Sequence, residues 1–334
     1  MISEPDPTAA KLFSAFIASN QFSLVLLVCL FIGVVFYQQT TSPARLAVIL
    51  VPVILLMINF IANLVLRKVF VTKPALLVFH MALFVMVVLL ILGQLTYLKG
   101  TLELGSREEF NGQLENVQSG PWHDYYQLLN KKFTNLGFSI HYHKGVMRDN
   151  TINRIQLLQK GGNSQIIEIG DHIPLVIGHY RFYTTHNKGY APLFRWTPAG
   201  GDSFMGSVHL PAYPIHEYKQ AKEWLLPQTQ QKIWTMLVIE EDVLPEHRDF
   251  DFRIPYKHHL VVRVGEKRYT LKEGDEITLA SGVLRYDSLT SWMGYKVDYD
   301  WTRSWLLITC LIALLSLSLH YIIQFRDSIR QSSS

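Results

Sequence analysis

Residues 75–98 read ALLVFHMALFVMVVLLILGQLTYL, and none of these twenty-four positions is aspartate, glutamate, lysine or arginine. At 1.5 Å per residue, a helix of this length crosses a hydrocarbon core of about 30 Å. Three further runs share this composition, at 22–38, 46–66 and 304–325. Inside a bilayer a helix satisfies its own backbone polar groups, so the sequence predicts four transmembrane helices.

The composition excludes several classes of protein. The chain has 334 residues, of which 49% are hydrophobic and 17% charged, and its formal net charge is +4. This charged fraction excludes a disordered tail protein, and so small a net charge argues against a nucleic-acid binder. Two cysteines, Cys29 and Cys310, exclude a disulfide scaffold, and the sequence has no CxxC. A Gly-rich phosphate loop, HExxH and GxSxG are also missing from it.

Basic residues predict the orientation of the helices. The short loop between the second and third runs contains Arg67, Lys68 and Lys73, and the C-terminal tail contains Arg326 and Arg330. Positively charged loops tend to face the cytoplasm. We therefore expect the N-terminus, this loop and the tail to be cytoplasmic, and the long polar segment to lie on the opposite side.

This orientation divides the chain into four segments: a cytoplasmic N-terminus with three helices (1–98), an extracytoplasmic domain (99–303), a fourth helix (304–325) and a cytoplasmic tail (326–334). Turn signals at 160–163, 265–266 and 273–275 separate strand-like stretches in the polar segment. The predicted strands are 139–142, 155–158, 166–169, 180–184, 233–238, 259–264 and 269–271. The predicted fold is an α+β membrane protein, with a β-rich sandwich or barrel-like domain between helices three and four.

Three local features complete the prediction for the polar segment. Apolar spacing predicts an amphipathic helix near Trp122–Leu136. Seven glycine and proline residues are expected to break up the middle of the domain; they are Gly189, Pro192, Pro198, Gly200, Gly201, Pro211 and Pro214. Three tryptophans near the fourth helix are expected to anchor it at the membrane interface; they are Trp292, Trp301 and Trp305.

Two histidines, His80 and His320, lie inside predicted transmembrane helices. A buried imidazole without a partner costs several kcal/mol, so intramembrane histidines are candidates for function. Each lies about 8–9 Å from the cytoplasmic end of its helix, a matching depth at which the pair could ligate one haem iron. The alternatives are a hydrogen bond from His80 to Asn59 or Asn63, and contact of His320 with lipid headgroups or water.

Four histidines of the outer domain are close enough in sequence to be considered as metal ligands. His141 and His143 are two positions apart, so on a strand both would point the same way. A metal site needs a third ligand, and the sequence does not place one. His258 and His259 are adjacent. We therefore expect these side chains to be surface or turn residues.

The sequence resembles the ResB family, also called CcsB, over nearly its whole length. The most specific part is FHMAL at 79–83, followed by LGQL at 92–95 and KGTLEL at 99–104. The stretches 169–183 and 294–300 also resemble the outer domain of that family. The order of three helices, one outer domain and a closing helix is the same.

The resemblance implies a haem-delivery and assembly factor of system II cytochrome c maturation in the bacterial inner membrane. It implies a CcsA/ResC-like partner subunit, apocytochrome c as client, and a transient haem b shared with the partner. The family's transmembrane histidine maps onto His80, and its second axial ligand is attributed to the partner, so His320 is not needed. This chain would then be a non-catalytic subunit of a haem lyase complex.

Two other hypotheses remain open from the sequence. The chain could be a cofactor-free accessory subunit of a respiratory membrane complex. It could also be a b-type cytochrome in which His80 and His320 hold one haem for electron transfer.

Overall fold

The computed structural model describes residues 15–39, 45–66, 72–158 and 164–332. The chain forms two compact units, a helical unit of Met1–Leu95 with Trp301–Ser334 and a β unit of Thr96–Asp300. The helices are, in chain order, α1 (Asn20–Gln39), α2 (Arg45–Leu66), α3 (Pro74–Thr96), the short α4 (Tyr126–Leu129) and α5 (Arg303–Ser332).

Three helical stretches are long and apolar enough to cross a membrane: Ala47–Leu66, Pro74–Thr96 and Arg303–Ser332. The first predicted crossing corresponds to a shorter apolar stretch, Asn20–Phe36. The last helix continues past the predicted end at residue 325, because neither proline nor glycine interrupts it before Ser332. Most of the segment predicted as a cytoplasmic tail is therefore helical.

The first two helices approach closely at a glycine. A Cβ atom on Gly33 would lie 2.7 Å from the carbonyl oxygen of Val48. Small residues at such positions let the backbones of two apolar helices come together. Gly33 is therefore required for this packing of α1 on α2.

The β unit contains fifteen named strands among the described residues, all paired antiparallel. They are β1 (Leu98–Gly105), β2 (Glu115–Ser119), β3 (Phe133–His143), β4 (Met147–Leu158), β5 (Ser164–Gly170), β6 (Leu175–Ile177), β7 (Tyr180–Pro198), β8 (Phe204–Ser207), β9 (Ala221–Leu225), β10 (Lys232–Ile239), β11 (Phe250–Asp251), β12 (His258–Val264), β13 (Lys267–Leu271), β14 (Glu276–Leu279) and β15 (Gly282–Tyr299).

These strands form three sheets. The central sheet has the order β2–β1–β15–β7–β6, with β14 also paired to β15 and β8 to β7. A second sheet has the order β11–β3–β4–β5, and a third has the order β13–β12–β10–β9. The two longest strands, β7 and β15, pair with each other from Tyr180↔Tyr299 to Pro198↔Gly282.

The long strands contribute to two separate hydrophobic cores. The first lobe packs one half of β7 and β15 with β1 and β3–β5, around Phe133, Ile155 and Phe182. The second lobe packs the other half of both strands with β10 and β12–β14, around Trp196 and Leu260. In each half of β7 and β15, the side chains on one face of the strand point into the core of that lobe.

The predicted strands are confirmed, since all seven lie within β3, β4, β5, β7, β10, β12 and β13. Gly265 and Gly274 adopt φ angles of 60° and 91°, as the predicted turns require. The predicted turn at 160–163 lies outside the described residues.

The helix predicted over Trp122–Leu136 is wrong. Only α4 is helical there, and Phe133 already begins a strand. Phe133 is 1% exposed in the first core, whereas Trp122 and Tyr126 are exposed. Burial of Phe133 against the sheet therefore overrides the local helical spacing.

The expected interruption is wrong at Gly189 and Pro192, because β7 runs through both residues. It is confirmed at the other five positions, since β7 ends at Pro198 and the remaining four residues lie between the strands β7, β8 and β9. The carbonyl of Pro192 accepts a hydrogen bond from the amide of Val208 at 3.0 Å. A Cβ on Gly189 would lie 3.2 Å from the carbonyl oxygen of Pro211. The segment 208–211 runs beside this part of β7. It donates to the carbonyl groups of β7 and occupies the space that the missing Cβ of Gly189 leaves.

Candidate functional site

His80 lies in the second turn of α3, and the residues on either side of it in this helix are apolar. Its Nδ1 is 2.8 Å from the carbonyl oxygen of Leu76, one turn earlier on the same helix. Because a carbonyl only accepts, this bond places the proton of the neutral ring on Nδ1 and the lone pair on Nε2. That is the tautomer with which a histidine ligates iron through Nε2.

Aromatic side chains fix the plane of this imidazole. The ring of Phe60 on α2 stacks on it, with centroids 5.9 Å apart and planes 9° apart. Phe79 meets it edge-on at 5.3 Å. The half-buried ring therefore has a defined orientation in apolar surroundings.

The asparagines proposed as partners of His80 have other described hydrogen bonds. Asn59 accepts from the hydroxyl of Ser23 at 2.7 Å and donates to the carbonyls of Ile17 and Ser19. Asn63 donates to the carbonyl of Asn59 at 2.9 Å. These bonds join the N-terminal end of α1 to α2, which is a structural role.

His320 lies far along α5 and is half-buried. It lines a cavity of about 390 Å³ together with Lys73, which precedes α3, and Asp327 on its own helix. The ring leans against Tyr321 at 5.6 Å. The other residues around this cavity are Thr72, Pro74, Ala75, Ile323, Gln324, Ser328 and Gln331.

His80 and His320 thus have different surroundings. His80 has aromatic and aliphatic neighbours, whereas His320 lies beside charged and amide side chains. Of the described residues, the lining of the His320 cavity does not include His80. His80 fits the requirement for one axial haem ligand, because its tautomer presents Nε2 and its ring plane is fixed.

The adjacent histidines of the outer domain have structural partners. His258 is 2.9 Å from the carbonyl of Pro255 and 2.7 Å from the hydroxyl of Tyr286. His259 lies on the opposite side of β12 and is 2.6 Å from Glu240. They therefore hold separate neighbours and do not converge on one site.

Sequence reasoning missed a hydrogen-bonded chain in the β unit. Nε2 of His209 is 3.1 Å from the hydroxyl of Ser207, and its Nδ1 is 2.9 Å from Glu103. The imidazole stacks on Trp292, with centroids 5.2 Å apart and planes 8° apart. These residues come from β1, β8 and β15 and the loop after β8, so only the spacing of Ser207 and His209 gave a local signal.

Trp292 is not an interface residue, so its predicted role as a membrane anchor is wrong. It is 4% exposed, and its indole N–H donates to the carbonyl of Leu210 at 2.9 Å. Trp292 pairs with Gly189 of β7, and its indole lies against the segment around Leu210 that runs beside that strand. The indole is therefore packed inside the β unit. Trp305 on α5 is exposed.

A cavity of about 660 Å³ lies where the two lobes of the β unit meet. The turn after β1 contributes Ser106, Arg107 and Glu108, and β15 contributes Ser288 and Thr290. Ile254 and Leu289 add apolar surface. A polar cleft of this size can hold an extended peptide segment or a small molecule.

A scan against protein-family models finds no family that matches the chain. A search of the curated proteins finds no match either.

Proposed function

We propose that this protein is a haem-delivery and assembly factor of cytochrome c biogenesis, acting in a bacterial inner membrane beside a CcsA/ResC-like subunit. The observation that carries the proposal is His80, an oriented imidazole in an apolar helix. Histidines within transmembrane helices are rare and usually have a function. Neutral imidazole is also a good iron ligand. The order of helices and β unit along the chain is the second support.

In this proposal α1, α2, α3 and α5 cross the membrane. The basic residues Lys73 and Arg330 lie at the ends of α3 and α5 that would face the cytoplasm. His80 would then lie in the cytoplasmic half of the bilayer, and the β unit would be outside. That sidedness suits a protein that receives haem from one side and presents it to apocytochrome c on the other.

Haem b, when bound, would supply an iron atom that accepts imidazole nitrogen as a ligand. This chain would contribute one such ligand, Nε2 of His80, while the bond to Leu76 holds the ring in place. The partner subunit would contribute the other ligand and most of the covalent chemistry. The cleft between the lobes is the surface on which we place the apocytochrome segment.

The test is an absorption spectrum of the full chain purified in detergent with its CcsA/ResC-like partner. We expect a Soret band in the wild type, its loss in His80→Ala, and its return when free imidazole is added to that variant. His320→Ala is the matched control, since it removes an imidazole from another apolar helix, and the band should persist. Rescue by imidazole shows that the variant complex is folded.

Two results would favour the other functions. A Soret band that needs no partner and disappears in both histidine variants indicates a b-type cytochrome with His80 and His320 on one haem. No haem in any sample, with cytochrome c maturation intact in a His80→Ala strain, indicates a cofactor-free accessory subunit.

A further inference from the structure

The end of β3 and the segment around β11 bring two histidines and a carboxylate together. His141 and His143 lie on the same side of β3, with ring centroids 4.9 Å apart. Asp249 lies beside both, although it is 106 residues from His143 in sequence. One donor atom from each of the three residues lies within 4.8 Å of the others.

The individual distances are close to those of a metal site. Oδ2 of Asp249 is 3.5 Å from Nδ1 of His143 and 3.9 Å from Nε2 of His141. Ligands at about 2.0–2.1 Å from a tetrahedral ion are about 3.3 Å apart. The donor atoms of the two imidazoles lie within 4.8 Å of each other, so side-chain movements of up to about 1.5 Å would place the three atoms around one ion.

A second carboxylate orients one of the imidazoles. Nδ1 of His141 is 2.8 Å from Oδ1 of Asp251, so this bond leaves Nε2, which faces Asp249, as the ligand atom. Metal-binding histidines commonly donate their other N–H to a carboxylate, which fixes the tautomer and increases basicity.

The third ligand is held in place by the main chain. The amide of Lys144 donates to Oδ1 of Asp249 at 2.9 Å, which directs Oδ2 toward the histidines. This backbone hydrogen bond fixes the orientation of the carboxylate. On the opposite face of the strand, Tyr142 stacks on Phe250 at 5.0 Å and fixes the pairing of β3 with β11.

From this geometry we infer that His141, His143 and Asp249 form a binding site for a divalent transition-metal ion of the zinc class, with Asp251 orienting His141. Two imidazoles and one carboxylate are the donor set preferred by Zn²⁺ and its neighbours, and Ca²⁺ and Mg²⁺ prefer oxygen donors alone. The side chains are 42–56% exposed, so water completes the coordination and the ion exchanges with solvent.

The test is a metal titration of the full chain in detergent, purified through a tag that contains no histidine. Co²⁺ is added as the spectroscopic probe, and Zn²⁺ competes for it. We expect one ion per chain with visible cobalt bands of a four- or five-coordinate site. His143→Ala and Asp249→Asn should weaken binding at least about 10-fold, and Asp251→Asn should weaken it about 10-fold.

His259→Ala is the matched control, because His259 also lies on a strand and pairs with a carboxylate, whereas the neighbouring His258 faces the other side of β12 and has other partners. Zn²⁺ affinity should be unchanged in this variant and in His80→Ala, which separates the site from the proposed haem ligand. Circular dichroism checks that each variant is folded. Absence of stoichiometric binding, or equal affinity in wild type, His143→Ala and Asp249→Asn, would overturn the inference.

Discussion

The helical unit and the β unit differ in where their large apolar side chains lie. In the β unit Phe182 and Leu260 have no exposed surface, whereas Leu315 on α5 is 71% exposed. In the helical unit the buried side chains include Asn59, which is 4% exposed. Apolar groups directed outward and polar groups directed between helices are typical of helices surrounded by lipid. The comparison teaches that the two units place their apolar side chains differently: between the sheets in one, and on the outer surface of the helices in the other.

The largest expected effect contrasts Phe182→Ala with Leu315→Ala. Phe182 packs between Phe110 and Phe133, with centroids 5.5 and 5.0 Å away. Its truncation should lower the free energy of unfolding of the β unit by about 3–5 kcal/mol. Leu315→Ala should change the stability in detergent by less than about 0.5 kcal/mol. Denaturant titration of the full chain measures both, and equal losses would contradict the comparison.

The next effect concerns a buried polar network in the first lobe. Asn153 donates to Oδ1 of Asn135 and to the carbonyl of Gly137, both at 2.8 Å, and accepts from the hydroxyl of Tyr295 at 2.8 Å. Asn153→Ala leaves several buried groups without partners, so we expect a loss of about 3 kcal/mol. Tyr295→Phe removes one hydroxyl and should cost about 1 kcal/mol. The same titration detects both, and a neutral Asn153→Ala would refute the structural role of this network.

A smaller loss is expected for Asn59→Ala in the helical unit. This asparagine binds Ser23 and Ser19 near the start of α1, but hydrogen bonds between apolar helices contribute only about 1 kcal/mol. The thermal midpoint in detergent should therefore fall less than in Asn153→Ala. A larger fall than in Asn153→Ala would show that polar contacts dominate the helical unit.

The smallest effect is a dependence of stability on acid. Burial raises the pKa of Glu103, but the hydrogen bond and charge of His209, with the charge of Lys222, outweigh it, so the pKa lies below 4.5. A folded-state pKa below the unfolded one stabilises the fold above about pH 4.5, and this contribution is lost as the pH falls through the folded value. Glu103→Gln should therefore flatten the acid slope of the thermal midpoint. Glu266→Gln, at an exposed turn, should leave the slope as in wild type.

The sequence predicted the elements whose signal is local. Apolar runs without charge gave the helices, and alternating stretches ended by Gly265 and Gly274 gave strands and turns. The helix over Trp122–Leu136 failed because its spacing was judged without the sheet that buries Phe133. Pro192 reads as an interruption in the sequence because local composition gives no sign of the segment that covers this edge of β7.

The candidate sites divide in the same way. His80 and His320 are recognisable because a histidine in an apolar run is conspicuous in any sequence. Their different surroundings depend on packing, and the sequence contains no direct signal for it. Asp249 is brought to His141 and His143 by strand pairing across about a hundred residues. No spacing rule connects positions so far apart, so the third ligand could not be placed beforehand.

The pairing of β7 with β15 spans both lobes, with register shifts at 286–288 and 293–295, and it has a consequence for how the β unit opens. Val297 of β15 belongs to the first core and Leu284 to the second, yet both lie on one ladder. Separating the strands in either lobe breaks hydrogen bonds next to those that hold the other lobe together. We therefore expect the two lobes to open together, as one cooperative foldon. In native-state hydrogen exchange the amides of both halves of β15 should thus share one opening free energy.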